Sequence, residues 1–205
     1  MYIEVVTMSL VIAVKKDGKV FFGADTQTTI GDGKKYSSFE EEYKIMNLGN
    51  GVVVGLSGYV SSIQQLTFHP EWFSDLETKT LTKKFLVTDL LPKLFKELSS
   101  YEQLTITSNG AKTLSMSIII AKADRLFRIY DSGAVVEIPH FVAIGSGQSY
   151  ALAFYRVHKP FEDVNQFIVN AIAFTDGYVE SVGGDITLMD THTLKIEKRS
   201  SQLCL

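Results

Sequence analysis

Two apolar, β-branched runs flank the dipeptide Asp17-Gly18, and this arrangement constrains the fold more than any other feature of the sequence. Asp and Gly both accept the positive φ angles of a tight two-residue turn, so the pattern predicts a β-hairpin. Antiparallel strands return to the end at which they began. We therefore expect Ser9, at the start of the first strand, to lie beside Asp25, at the end of the second. The hairpin brings a hydroxyl group and a carboxylate together.

The length and composition indicate one compact globular domain. A chain of 205 residues is long enough to bury a sizeable core, and its 45% apolar and 21% charged residues do not have the bias of a disordered chain. The net charge of −3 gives no excess of positive charge for binding phosphate backbones, so we expect no nucleic-acid partner.

Cysteine and histidine usage gives no pattern typical of a metal site. Cys204 is the single cysteine and can form no internal disulfide, which fits a reducing cytoplasm. The four histidines are scattered without the spacing of metal ligands, so we predict no catalytic metal and no cofactor. The first eight residues lack the basic start and long apolar core of a signal peptide. No apolar run approaches the roughly 20 residues that span a bilayer, so we expect no membrane partner.

Strand and helix blocks follow one another without strict βαβ alternation, which favours antiparallel sheets with helices on their outer faces. Residues 30–42 are predicted to form a loop, and Pro92 is expected to kink or divide a helix. After the first hairpin, the predicted strands are 43–48, 52–57, 115–122, 126–131, 134–138, 141–144, 185–190 and 194–198. The predicted helices run from about 59 to near His69-Pro70, from 85 to 98, from the Gly145-Ser146-Gly147 turn to about 158, and from 164 to about 182.

The hairpin resembles the opening of proteasome β-type subunits, which are N-terminal-nucleophile hydrolases. Such chains begin with a nucleophile and end the second strand in Asp followed by x-(Arg/Gln)-x-Thr, which here is Asp25-Thr26-Gln27-Thr28-Thr29. Three later segments match the family in the right order, so the resemblance covers nearly the whole chain. They are the lysine strand Lys44-Ile45-Met46-Asn47-Leu48, the apolar-x-Gly segment Leu56-Ser57-Gly58, and the turn Ala143-Ile144-Gly145-Ser146-Gly147 followed by Tyr150-Ala151.

The resemblance implies the fold and the site. The expected fold is α+β, a four-layer αββα sandwich of two antiparallel sheets formed by residues 9–205. The implied catalytic residues are Ser9 as nucleophile, Asp25 and Lys44 as its electrostatic partners, Gly58 as oxyanion donor and Ser146 as a support of the nucleophile. Positions that match substrate contacts are Thr29, Leu56 and Val60. The family also implies a peptide or unfolded protein as substrate, a homo-oligomeric ring and an ATPase unfoldase as a possible partner.

The chemistry requires Ser9 to be the first residue. A chain-terminal amine with a pKa of about 7.7–8.0 can take the proton of the serine hydroxyl near neutral pH. Eight residues precede Ser9, and Met8 stands where a self-cleaving propeptide of the family carries Gly. Residues 1–8 are thus interpreted as a propeptide or as a start assigned too far upstream, because removal of Met8 from a chain begun there would expose Ser9.

Several departures from the family pattern keep alternatives open. Ser9 replaces the usual Thr and lacks the methyl group that restricts χ1. Residues 180–186 resemble the family's Asp-x-x-Ser-Gly-Gly segment out of register, so no role is predicted for Glu180 or Ser181. The alternatives are a catalytically inactive assembly or regulatory subunit, which Met8 favours, and an amidase or transpeptidase that uses the same nucleophile on one defined substrate.

Overall fold

The computed structural model describes residues 5–6, 9–30, 35–37 and 44–200. All paired strands in these ranges are antiparallel, and they form two five-stranded sheets, one three-stranded sheet and one hairpin. The strands are β1 (Val5–Val6), β2 (Val11–Lys16), β3 (Lys19–Asp25), β4 (Gln27–Ile30), β5 (Lys35–Ser37), β6 (Ile45–Asn47), β7 (Val52–Gly58), β8 (Leu104–Ile106), β9 (Lys112–Leu114), β10 (Met116–Lys122), β11 (Arg125–Ile129), β12 (Val135–Glu137), β13 (Phe141–Ile144), β14 (Ile186–Asp190) and β15 (Glu197–Arg199).

The predicted first hairpin is confirmed. Strands β2 and β3 pair with Val11 opposite Ala24, and the turn residues Asp17 and Gly18 have φ angles of 51° and 76°. Two positive φ angles are the signature of a type I′ turn, which the right-handed twist of paired strands favours. This hairpin lies in the centre of a sheet with the order β13-β2-β3-β14-β15, whereas the other large sheet has the order β12-β11-β10-β7-β6.

The helices lie in two groups along the chain. They are α1 (Val60–Phe68), a 3₁₀ helix (Pro70–Glu77), α2 (Lys83–Phe85), a π-helical segment (Leu86–Leu90), α3 (Leu91–Ser100), α4 (Gln148–His158) and α5 (Val164–Asp176). The helix predicted to kink or divide at Pro92 is helical throughout from Lys83 to Ser100, and it changes from π-helical to α-helical hydrogen bonding at the turn that contains this proline. Proline has no N–H for the helical ladder and its ring crowds the preceding turn.

Three apolar clusters define four layers. One cluster lies between the two large sheets and contains Phe22, Ile119 and Leu126. A second packs α1 to α3 against the sheet of β7 and β10, and a third packs α4 and α5 against the sheet of β2 and β3. Each large sheet therefore has one helical face and one face toward the other sheet. The fold is the predicted α+β sandwich of αββα type.

The structure differs from several of the predicted elements. Helix α5 ends at Asp176, six residues before the predicted end, and the chain then turns so that Gly183 contacts Asp25. Strand β5 interrupts the predicted loop of residues 30–42, whose residues 31–34 and 38–42 lie outside the described ranges, as does Tyr43 of the next predicted strand. The short hairpin β8–β9 was not predicted, because its three-residue strands show no clear alternation.

Candidate active site

Asp25 lies at the end of β3, and three donors surround its carboxylate. Lys44 Nζ lies 2.8 Å from Oδ1, the Leu10 N–H donates to the same oxygen at 2.8 Å, and the Gly183 N–H donates to Oδ2 at 3.1 Å. The side chain is fully buried. Burial raises the pKa of Asp25 above its ordinary value, although Lys44 and the two backbone donors oppose this shift.

Lys44 immediately precedes β6, and its side chain is only 3% exposed. Its Nζ donates both to Asp25 and to the backbone carbonyl of Gln27, at 2.6 Å. The Leu56 N–H donates to the Lys44 carbonyl at 2.8 Å, which fixes the backbone of Lys44 against β7. Burial lowers the pKa of Lys44 below its ordinary value, and the neighbouring Asp25 carboxylate opposes the shift.

Ser9 is fully buried and directly precedes Leu10, whose N–H binds the Asp25 carboxylate. The carbonyl oxygen of Ser9 accepts hydrogen bonds from Ser146 Oγ at 3.4 Å and from the Gly147 N–H at 3.5 Å. Gly145 has a φ angle of +98°, and a Cβ there would collide with this same carbonyl oxygen. The turn after β13 therefore holds the backbone of Ser9 at close range, and only glycine fits at its first position.

Ser146 has a second partner that the sequence did not reveal. Its Oγ lies 2.8 Å from Ser181 Oγ. Gly183, two residues later, binds Asp25, and the Gln27 side chain donates to the Glu180 carbonyl at 2.9 Å. The segment after α5 therefore contributes three contacts to the site. The resemblance of this segment to the family's Ser-Gly-Gly segment could have indicated these contacts, but the segment is out of register, so no role was predicted for it.

The remaining predicted residues lie in β4, β7 and α1. Gly58 ends β7 opposite Met116, with a φ angle of +156°, and Thr29 lies in β4 with its side chain 3.4 Å from Gln27 Nε2. Leu56 is fully buried within the cluster beneath α1, whereas Val60, at the start of α1, is half-buried. The part of the chain that the structure describes contains no group of three His, Cys, Asp or Glu side chains placed to hold a metal ion. Its helices are all too short or too polar to cross a membrane.

Four β-strand ends and two turns thus bring a hydroxyl-bearing residue, a buried ammonium and a buried carboxylate together at one end of the sandwich. Such an arrangement can hold a charge near Ser9 in a water-poor environment, where electrostatic interactions are stronger than in solvent. With the αββα layers, this defines a protein with the fold of the N-terminal-nucleophile hydrolases.

The comparisons with known proteins agree. The model of the family described as "Proteasome subunit" matches residues 7–174. The protein BPH of Thiobacillus denitrificans superposes with a TM-score of 0.72 at 23% identity, covering 88% of this chain and 96% of that one. Its complex with epoxomicin gives a TM-score of 0.71 at 23% identity, over 88% and 97% of the two chains. The eukaryotic HslV of Trypanosoma brucei superposes with a TM-score of 0.62 at 18% identity, covering 88% of this chain and 98% of that one.

The chain belongs to the proteasome subunit family. It has the peptidase fold of that family, and the solved structures named above share this fold.

Proposed function

We propose that this protein is a peptidase that hydrolyses peptide bonds with Ser9 as an N-terminal nucleophile, after residues 1–8 are removed. The observation that carries the proposal is the buried pair of Asp25 and Lys44, because the Asp25 carboxylate binds the N–H of the residue that follows Ser9. A buried ion pair costs desolvation energy. The position of the pair beside the predicted nucleophile supports a catalytic reason for burying these charges.

The pairing of β4 supports the removal of residues 1–8. Strand β1 lies along one edge of β4, with Val6 opposite Thr29, and β5 lies along the other, with Lys35 opposite Thr29. An extended peptide that binds by strand addition needs a free edge. Removal of residues 1–8 would vacate the β1 edge at Thr29, the position predicted to contact substrate, and would create the α-amine of Ser9 in the same step.

The proposed reaction then proceeds by acyl transfer. The Ser9 amine takes the hydroxyl proton, and Oγ attacks the substrate carbonyl. The Gly58 N–H stabilises the oxyanion, an effect worth roughly 2.7–4 kcal/mol per donor. The C–N bond breaks as the amine returns the proton to the leaving group, and water then hydrolyses the acyl-Ser9 ester. The Lys44 ammonium favours the neutral amine and the developing alkoxide, and Asp25 holds Lys44 in place.

Family membership supports the wider setting that we propose. The substrate is a peptide or an unfolded protein, Leu56 and Val60 line its apolar pocket, and Ser146 supports the nucleophile. The chain assembles into a homo-oligomeric ring in the cytoplasm, with an ATPase unfoldase as a possible partner.

The test compares the full chain with a chain that begins at Ser9, made by cleavage of an N-terminal fusion. Epoxomicin, which is in complex with the T. denitrificans protein, serves as a probe whose adduct is read by native intact mass, beside hydrolysis of fluorogenic peptides. We expect adduct formation and turnover for the Ser9 chain and for its Ser9→Thr variant, but not for Ser9→Ala or the full chain. A folded Ser9 chain that neither reacts nor hydrolyses peptides would overturn the proposal.

A second candidate is a non-catalytic assembly subunit that keeps residues 1–8. It is favoured by the complete burial of Ser9 and by the occupied edge of β4. The intact mass of the protein from its native host separates the two candidates, because a Ser9 start supports the peptidase and a Met1 start supports the assembly subunit.

A further inference from the structure

A cavity of about 260 Å³ opens at the edge of the sandwich, between β11 of one sheet and β13 and α4 of the other. Its wall combines one cation with apolar side chains. The residues used below are Arg128, Tyr130, Phe141, Gln148 and Leu152. None of them belongs to the proposed catalytic site, so the cavity can be considered independently of the peptidase reaction.

The guanidinium group of Arg128 is incompletely satisfied. Its Nη1 donates to the Ala143 carbonyl at 3.4 Å and its Nη2 to Gln148 Oε1 at 3.3 Å, both longer than the usual 2.9–3.0 Å. Nε is buried, and within the described ranges it has no hydrogen-bond partner. A buried donor without a partner destabilises the folded state, so such a group in a native protein calls for an explanation.

The charge of Arg128 also has no counterion among the described residues. The acidic residues near Arg128 in sequence have other partners. Asp124 pairs with Lys15 at 3.0 Å, Glu137 pairs with Arg125 at 2.8 Å, and Asp131 accepts a hydrogen bond from the Ser132 N–H at 2.8 Å. No acidic side chain of the described residues lines the cavity. Instead, Tyr130 covers one face of the guanidinium, with its ring centroid 4.2 Å from Cζ. Stacking of this kind holds the guanidinium plane in position and leaves the edge of the guanidinium group available for hydrogen bonds.

We propose that this cavity binds a carboxylate that carries a short branched apolar tail. The Nε–H and Nη2–H of Arg128 form a fork that matches the two oxygens of a carboxylate. Gln148 is exposed and begins α4, so its side chain can turn away when the carboxylate replaces its weak contact. The N-terminus of this 11-residue helix favours an anion.

The rest of the cavity fits the tail. Phe141 and Leu152 provide apolar walls, and the cavity has the volume of about eight or nine water molecules at ~30 Å³ each. That volume corresponds to a ligand of similar heavy-atom count, such as 4-methylpentanoate. A free acid of this kind and the C-terminal carboxylate of a peptide ending in leucine present the same chemistry to Arg128.

The test uses methyl-labelled protein and an NMR titration with 4-methylpentanoate. We expect saturable shifts at Leu152 and Ala143, and none with the neutral isostere 4-methylpentanamide. Arg128→Gln should weaken binding about tenfold or more, since a charged fork is lost. Arg125→Gln is the matched control, because it removes one positive charge from the same strand and should leave binding unchanged.

A second variant keeps the test decisive if Arg128→Gln fails to fold. Gln148→Glu changes an exposed residue and places a carboxylate within reach of Arg128, so we expect it to block the ligand while the fold persists. Acetyl-Ala-Leu, tested as the free acid and as the amide, shows whether the C-terminus of a peptide also enters the cavity. The proposal is supported if the free acid of this peptide binds and its amide does not, whether or not 4-methylpentanoate binds as well. Non-saturable shifts, equal binding of the amide, or unchanged binding in Gln148→Glu would overturn the proposal.

Discussion

The ammonium of Lys44 lies 2.8 Å from the carboxylate of Asp25, and both side chains are buried although the residues are 19 positions apart in sequence. Desolvation of two such charges costs several kcal/mol per ion, and attraction offsets it only with good geometry and additional hydrogen bonds. Here the Leu10 and Gly183 N–H groups and the Gln27 carbonyl supply those bonds. The pair thereby joins the start of β2, the end of β3, β4 and the turn after α5.

Removal of one member of this pair should destabilise the fold strongly. We expect Lys44→Met to lower the free energy of unfolding by about 3–5 kcal/mol at neutral pH, because it leaves a buried carboxylate without its counterion. The double variant Lys44→Met/Asp25→Asn is the matched control and should recover most of that loss. Chemical denaturation followed by circular dichroism measures both values. Equal losses in the two variants would contradict an electrostatic origin of the effect.

The loss in Lys44→Met should depend on pH in a defined direction. Burial raises the folded-state pKa of Asp25, and removal of Lys44 takes away an interaction that opposes this shift. A group whose pKa is raised on folding contributes stability below its unfolded pKa, and this contribution is lost as the pH rises through the folded pKa. The deficit of Lys44→Met against Lys44→Met/Asp25→Asn should therefore grow as the pH is raised from about 4, the ordinary pKa of an aspartate in the unfolded chain. A deficit that shrinks as the pH rises would refute the assignment.

Gly145 should tolerate no side chain. In Gly145→Ala we expect a loss of about 2–5 kcal/mol, since the new methyl group collides with the Ser9 carbonyl and also occupies a left-handed conformation. Gly110→Ala is the control, because Gly110 has a φ angle of +81° with open space around it and should lose only about 1–2 kcal/mol. Thermal unfolding measures the loss of stability in both variants, and the difference between the two losses gives the contribution of the steric collision beyond that of backbone strain. Similar losses would mean that the turn moves away from Ser9.

The hydroxyl pair of Ser146 and Ser181 should act as a unit. A double-mutant cycle with Ser146→Ala and Ser181→Ala is expected to give a coupling energy of about 0.5–3 kcal/mol in unfolding, because the two Oγ atoms lie 2.8 Å apart. Ser100→Ala, at an exposed serine, should change stability by less than about 0.5 kcal/mol. Additive losses in the cycle would show that the contact contributes nothing.

The same variants address the proposed function. In the chain that begins at Ser9, Ser146→Ala should lower kcat more than it raises KM, because Ser146 contacts the Ser9 carbonyl and acts through its position. Ser100→Ala should leave both constants unchanged. A rise in KM alone would assign Ser146 to substrate binding.

Local chemistry was sufficient to predict much of this fold. Asp17-Gly18 adopts the positive φ angles expected of its turn, and the strands beside it pair as predicted. Positive φ angles at Gly49-Asn50-Gly51 likewise close the hairpin of β6 and β7. These features depend on residues that are neighbours in sequence, so a single chain carries the information. The hairpin also determined that Ser9 and Asp25 lie at the same end of the sheet, because the second strand of an antiparallel pair returns to the end at which the first begins.

Long-range packing decided the rest. The end of α5 at Asp176 and the placement of Ser181 and Gly183 against Ser146 and Asp25 depend on contacts across 35 and 158 positions of sequence. No local periodicity encodes such a contact, because it arises only when the two sheets stack and the last turn covers their end. The sequence by itself determined which groups could do the chemistry. The tertiary structure decided that Lys44 is buried and that the Gly145-Ser146-Gly147 turn contacts the backbone of Ser9, because burial depends on what the whole fold places around a residue.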